Sequence, residues 1–207
     1  MRQSGGMPAH YTSLDEIGRH AEHLLSEAVK TPDHPFRKPV LATVDAEGCP
    51  RARTVILRHV DFSARTVRIH TDARSAKITE IGGKPDVTLV FYDPREEVQV
   101  QLSGKASIHT DDEVAEAAWQ TAAPPSRRAY LADPAPGTVS QIPLSGLPAD
   151  VEGVIPGDER LAEGRPSFAA ILVRFHRLDW LFLSPNGNRR ARFTLEATGM
   201  SGTWLVP

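Results

Sequence analysis

One cysteine, Cys49, in 207 residues leaves no internal disulfide to staple the chain. It fits a reducing compartment, and its setting, "EGCP", looks like a turn that suits an incidental thiol better than a nucleophile. Positive charge is not in surplus either. The 24 Lys+Arg against 26 Asp+Glu give a net charge of −2, which argues against a general nucleic-acid binder but leaves room for a local basic pocket. No apolar run approaches a membrane span. The opening "MRQSGGMPAHYTSLDE" has no hydrophobic region of the signal-peptide kind, so a cytoplasmic protein with no membrane partner is expected. Internal repeats and a Gly-rich dinucleotide fingerprint are also missing. What is present is the balance of an ordinary globular chain, 40% hydrophobic and 24% charged, with length for one domain and a sizeable core.

Residues 1–12 read as a flexible N-terminus, and 13–207 as a single domain. Ser13 with Glu16 makes a capping box, and Ile17, Ala21, Leu24, Leu25 and Ala28 follow at helical spacing. Pro32 and Pro35 end that helix. Strands are expected at 39–45, 52–60 and 66–71, joined by turns as an antiparallel meander. A short helix over "ARSAKITEIGG" and two strands, "DVTLVFYD" and "EEVQVQLSGKASIHT", come next. Helical segments "DDEVAEAAWQTA" and "SRRAYLA" lead into residues 133–166, where six prolines and five glycines predict a long loop. The strands "SFAAILVRFHRLDW", "WLFLS" and "RRARFTLE" and the segment "TWLVP" close the chain. About six to eight strands with few helices predict a mainly β fold, a barrel with peripheral helices.

The stretch "RARTVILR", residues 51–58, does not read as an ordinary amphipathic strand. Simple alternation puts Arg51, Arg53, Val55 and Leu57 on one face and Ala52, Thr54, Ile56 and Arg58 on the other, so both faces mix charge with apolar bulk. Fixed arginines suit phosphate oxygens. The nearby "HTDARSAK" adds Thr71, Ser75 and Lys77 where a strand gives way to a helix start, a second source of anion-binding groups.

"RTVILRHVD", "HTDARSAK", "VQVQLSGKA" and the closing "NGNRRARF...GTWLVP", in this order, resemble the FMN-binding split barrel of the pyridoxamine 5′-phosphate oxidase family. The resemblance implies a homodimer with FMN at the subunit interface, each site drawing on both subunits. It implies cofactor contacts from Arg53, Thr54, Val55, Ile56, Arg58, His70, Thr71, Ser75, Lys77, Gln99 and Arg192, and substrate contacts from Arg58, Ser126 and Arg190. Arg58 stands where the family has a Lys, and Ala76 replaces a second basic residue of the phosphate turn. The family's substrate-phosphate clamp is largely missing. Ala118 and Ala122 stand for its Tyr and Arg, and Asn188 and Arg190 for its Arg-x-His pair. A relative with a changed substrate site is therefore implied, rather than the vitamin oxidase itself.

No catalytic residue stands out, and none is assigned. His20 and His23, three apart on the first helix, find no further ligand at metal spacing and read as a solvated face, so no metal is expected. His59 and His70 are expected to pack or hydrogen-bond rather than move protons. Trp180, Phe182 and Trp204 read as core or dimer-seam residues. Beside a flavin oxidoreductase, two alternatives stay open: a non-catalytic FMN carrier, and a reductase using a nicotinamide or deazaflavin cofactor.

Overall fold

The computed structural model describes residues 11–196 and 199–207. The first helix, α1 (Leu14–Lys30), starts where the capping box places it, with Ser13 Oγ accepting from the Glu16 amide at 3.5 Å. Its buried stripe, Ile17, Ala21, Leu24, Leu25 and Ala28, is the one its spacing predicts. Most of the expected loose N-terminus, residues 1–10, lies outside the described residues. Tyr11, placed in that stretch by sequence, is instead buried at 5% exposure, its ring 5.0 Å from that of Trp180.

The strands form one antiparallel sheet. β1 (Val40–Val44) pairs with β2 (Pro50–Thr54), and β3 (Leu57–Asp61) with β4 (Thr66–Asp72). α2 (Ala76–Gly83), β5 (Asp86–Asp93) and the long β6 (Val98–His109) follow. α3 (Glu113–Gln120), α4 (Pro124–Arg128) and α5 (Asp158–Ala162) lead to β7 (Phe168–Phe182), β8 (Arg189–Glu196) and β9 (Gly199–Leu205). The spatial order is β2-β1-β5-β6-β7-β4-β3, with β8 and β9 added along β7.

That order corrects the expected meander. The anticipated strand 52–60 is two strands, broken at Val55 and Ile56, and β2 and β3 stand at opposite ends of the path. The physical reason is burial: Val55 (8% exposed) and Leu57 (0%) leave the edge hairpin to enter the core. β3 then slips register between Leu57 and His59, so Arg58 is an extra residue opposite β4. The simple alternation across "RARTVILR" therefore does not hold.

The expected separate strands 167–180 and 180–184 are one strand, β7. It pairs with β4 over Phe168–Arg174 and with β8 over Arg177–Phe182, so two arms of the sheet meet along it. Opposite Ser103 and Gly104 of β6 its register slips by one residue at His176. Before the slip, Ile171, Val173 and Phe175 face the core; after it, Leu178, Trp180 and Phe182 do. An odd-numbered core face becomes an even-numbered one, which disguises a continuous strand in the sequence.

The 133–166 segment is less structureless than its composition predicts. It contains α5, and Val151 and Leu161 are buried with Leu131 in a small cluster of their own. The main core joins both arms of the sheet to α1, and a third cluster packs Trp119 and Tyr130 on Phe168 and Ala170. No helix among the described residues is long and apolar enough to cross a membrane.

Of the described glycines, Gly104 makes the closest backbone approach. A Cβ there would sit 2.2 Å from the Arg174 carbonyl oxygen and 2.6 Å from Phe175 Cα, both backbone atoms that cannot swing aside. Gly104→Ala is expected to cost about 1–3 kcal/mol through overpacking, read as a lower urea midpoint. An unchanged midpoint would show that the two strands can separate freely.

Candidate functional site

Two polar clusters lie where the strand ends meet the helices. The first gathers around the start of α2. Thr71 lies one residue before the end of β4, Ser75 stands at the N-cap of the helix, and Lys77 stands in its first turn. Lys77 Nζ donates to Thr71 Oγ1 at 2.8 Å and Ser75 Oγ at 3.1 Å, and the two hydroxyls lie 3.1 Å apart. Both hydroxyl residues are buried, at 7% and 6% exposure. Burial lowers the Lys77 pKa, and Arg53 lowers it further, against smaller opposing effects of Glu80 and Asp72. A half-buried ammonium held by hydroxyls beside a guanidinium is an arrangement suited to an anion.

Arg53 reaches this cluster from the edge strand β2. Its guanidinium donates to Thr43 Oγ1 and to Glu80 Oε2, the latter at 2.6 Å, and Thr43 donates to the same Glu80 oxygen at 2.5 Å. Glu80, only 8% exposed, thus ties β1, β2 and α2 together. Burial alone would raise its pKa; the hydrogen bonds from Thr43 and Arg53, with the Arg53 charge, outweigh that and lower it. Sequence reasoning missed Glu80. The available signal was a carboxylate between Ile78 and Ile81 on a short helix, an odd place for a solvated charge.

The second cluster surrounds Arg58. At the β3 bulge, its Nη2 donates to Ser126 Oγ of α4 at 3.0 Å, so two expected substrate-side residues do meet. His70 lies within reach of the Arg58 and Arg68 charges, and its ring packs on Phe168 at 4.9 Å. Burial, with those two charges adding to it, lowers the His70 pKa from 6.5 to about 3. The imidazole is therefore neutral near pH 7. Tyr130, pushed up to about 12 by burial, completes the wall with Trp119. Tyr130 and Arg68 were not singled out by sequence, since a helix residue and an alternating strand residue look ordinary there. His59 is exposed.

The remaining expected residues stand apart. Gln99 on β6, Leu181 on β7 and Arg190 on β8 form one row across the sheet, and Gln101, Asp179 and Arg192 the next. Buried Asp179 collects Arg192 at 2.9 Å, Arg177 at 3.1 Å and Arg190 at 3.6 Å. Within one chain, then, Arg53, Thr71, Ser75 and Lys77 come together, as do Arg58, His70 and Ser126. Gln99, Arg190 and Arg192 lie on the other arm of the sheet. Thr54 is exposed, while Val55 and Ile56 form the link between the two hairpins. A cavity of about 750 Å³ lined by Tyr11, His20, Glu96 and Phe182 shares no residue with either cluster. His20 there bonds Glu96 at 3.0 Å, and no metal-sized group of acidic, His or Cys residues exists among the described residues.

The sheet matches the split-barrel fold. The family model for the FMN-binding domain of pyridoxamine 5′-phosphate oxidase matches residues 20–110. The pyridoxine/pyridoxamine 5′-phosphate oxidase of Anaeromyxobacter dehalogenans is 30% identical over 146 residues, covering 70% of this chain and 72% of that protein. Among solved structures, an FMN-binding protein from Nostoc punctiforme related to the oxidase superposes with a TM-score of 0.70. It is 23% identical and covers 91% of this chain and 97% of its own. PhzG from Burkholderia lata, solved with tetrahydrophenazine-1-carboxylic acid, gives 0.68 at 17% identity, covering 99% and 98%. The chain belongs to the pyridoxine/pyridoxamine 5′-phosphate oxidase family.

Glu80→Gln tests the tie between β1, β2 and α2. Because the folded-state pKa of Glu80 is lowered, its stabilisation is present above the unfolded carboxylate value and is lost as pH falls through the folded one. The variant is expected to lose about 1–3 kcal/mol at pH 7. It should also show a smaller further loss than wild type on acidification below about pH 4.5, read by thermal unfolding across pH.

Proposed function

We propose that the protein is an FMN-binding flavoprotein and oxidoreductase that works as a homodimer, with a substrate site altered from that of the vitamin oxidase. Lys77 carries this reading. A half-buried ammonium that touches two buried hydroxyls, with Arg53 alongside, has the donor set a phosphate monoester needs. The cofactor phosphate is assigned to Arg53, Thr71, Ser75 and Lys77. Thr54, Val55, Ile56, Arg58, His70, Gln99 and Arg192 are assigned to the rest of the cofactor. Since Gln99 and Arg192 stand on the far arm of the sheet, a second copy facing this one would supply them, which is the reason for the dimer.

When bound, FMN supplies the redox chemistry, taking a hydride equivalent from the substrate and returning electrons to dioxygen or another acceptor. The protein's part is positioning and charge. Arg58 and Arg192 favour negative charge beside them. Neutral His70 offers a hydrogen bond near pH 7. Arg58 and Ser126, joined by Arg190 from the second copy, are the substrate-side groups. If no substrate is turned over, the same cofactor contacts describe a carrier.

The test is the visible spectrum of the purified protein, chromatography of any released cofactor, and titration with FMN. A flavin spectrum with FMN released is expected, and Lys77→Met should weaken FMN binding at least about tenfold. Equal affinity in the variant, or no FMN uptake by wild type, would overturn the assignment. Oxygen consumption with pyridoxamine phosphate, and bleaching by a reduced nicotinamide, then separate oxidase, reductase and carrier.

A further inference from the structure

The arginines of this chain are, with few exceptions, matched. Arg53 has Glu80, Arg74 has Asp72, and Arg177, Arg190 and Arg192 share Asp179. Arg37, Arg65 and Arg189 donate to backbone carbonyls. Among the described residues, Arg58 and Arg68 are the two half-buried arginines that reach neither a carboxylate nor a carbonyl. Among the described residues Arg58 has only the Ser126 hydroxyl, and Arg68 has no hydrogen bond or ion pair. The Nε atoms of both, and both ring nitrogens of His70, are shielded from water without a protein partner.

These groups share one face. Val67 and Ile69 of β4 point into the core, so Arg68 and His70 point the other way. The β3 bulge brings Arg58 to that same side, within reach of His70. In register beside His70 stands Ala170 of β7, over which Trp119, Tyr130 and Phe168 pack edge to face. Burial lowers the pKa of both arginines, and no carboxylate acts on either. Buried donors without acceptors are costly unless a ligand uses them. Here the donors are cationic and stand next to an aromatic wall.

We propose that Arg68 is a substrate-binding residue which, with Arg58, seats an anionic group, carboxylate or phosphate, of the substrate. This deepens the flavoprotein reading and rests on it only for the word substrate. Arg68 would stand in for the positive charge that the substrate clamp of the family supplies from the segment before Ser126. The seat is separate from the Lys77 cradle, which lies around the start of α2.

Isothermal titration calorimetry with benzoate and with inorganic phosphate tests this, on the purified protein with and without saturating FMN. Wild type should bind at least one probe saturably, benzoate alone marking a carboxylate seat and phosphate alone a phosphoryl seat. Arg68→Met should weaken that probe about tenfold or more while keeping wild-type FMN affinity. Arg68→Lys, which keeps the charge but loses the planar fork, should fall between them. Lys77→Met should lose FMN affinity and keep the probe. No probe binding to wild type, equal affinity in Arg68→Met, or loss of the probe in Lys77→Met would each overturn the proposal. If wild type takes up no FMN, benzoate on the free protein, and phosphate on the Lys77→Met protein whose cradle is disabled, still read the seat, so the two readings fail separately.

Discussion

The pairing of β6 with β7 is the constraint on which the rest of the molecule depends. Twelve residues of β6 run against β7, and the one-residue slip at Gly104 and His176 divides that contact into two arms. On one arm β7 carries β4 and β3, on the other β8 and β9. Because a slip of one residue exchanges the faces of a strand, it decides which side chains of each arm are core and which are free to bind. Arg58, Arg68 and His70 owe their outward direction to the first arm, and Asp179 with its three arginines to the second. Gly104 lets the backbones approach closely enough for the slip to be tolerated.

Electrostatics divides the polar residues in the same manner. Glu80 neutralises Arg53 before any ligand arrives, so Arg53 contributes fixed geometry more than free charge. Lys77, with hydroxyl partners, keeps its charge available. Asp179 plays the part of Glu80 on the other arm but is outnumbered by its arginines, leaving that face positive. The Arg58 and Arg68 pair has no such counterweight. A chain with a net charge of −2 therefore concentrates its unbalanced positive charge at a few half-buried points, and local field rather than overall charge sets what it attracts.

Much of this was legible in the sequence, and the failures have physical causes. The capped helix, the β-rich plan and the Thr71, Ser75 and Lys77 turn follow from local rules of capping, alternation and turn chemistry. The three points where periodicity misled, the break at Val55 and Ile56 and the bulges at Arg58 and His176, are places where tertiary packing overrides a local period. Glu80 and Arg68 went unnoticed for another reason. A charged residue on a helix or strand reads as solvent-facing until the fold shows what covers it. The separation of Gln99, Arg190 and Arg192 from Lys77 is likewise a matter of strand order, which no local pattern encodes.

The broken stretch 51–58 has one more consequence. Arg53 and Arg58 sit on different hairpins, yet only four residues separate them, Thr54, Val55, Ile56 and Leu57. An extended chain advances at most about 3.6 Å per residue, so these two guanidinium-bearing backbone positions can be no more than about 18 Å apart. The link works as a gauge. It bounds the distance between the two backbone positions from which the arginines reach out, independently of how the rest of the barrel breathes, and adding or removing a residue there would change that bound in a single step of about 3.4 Å.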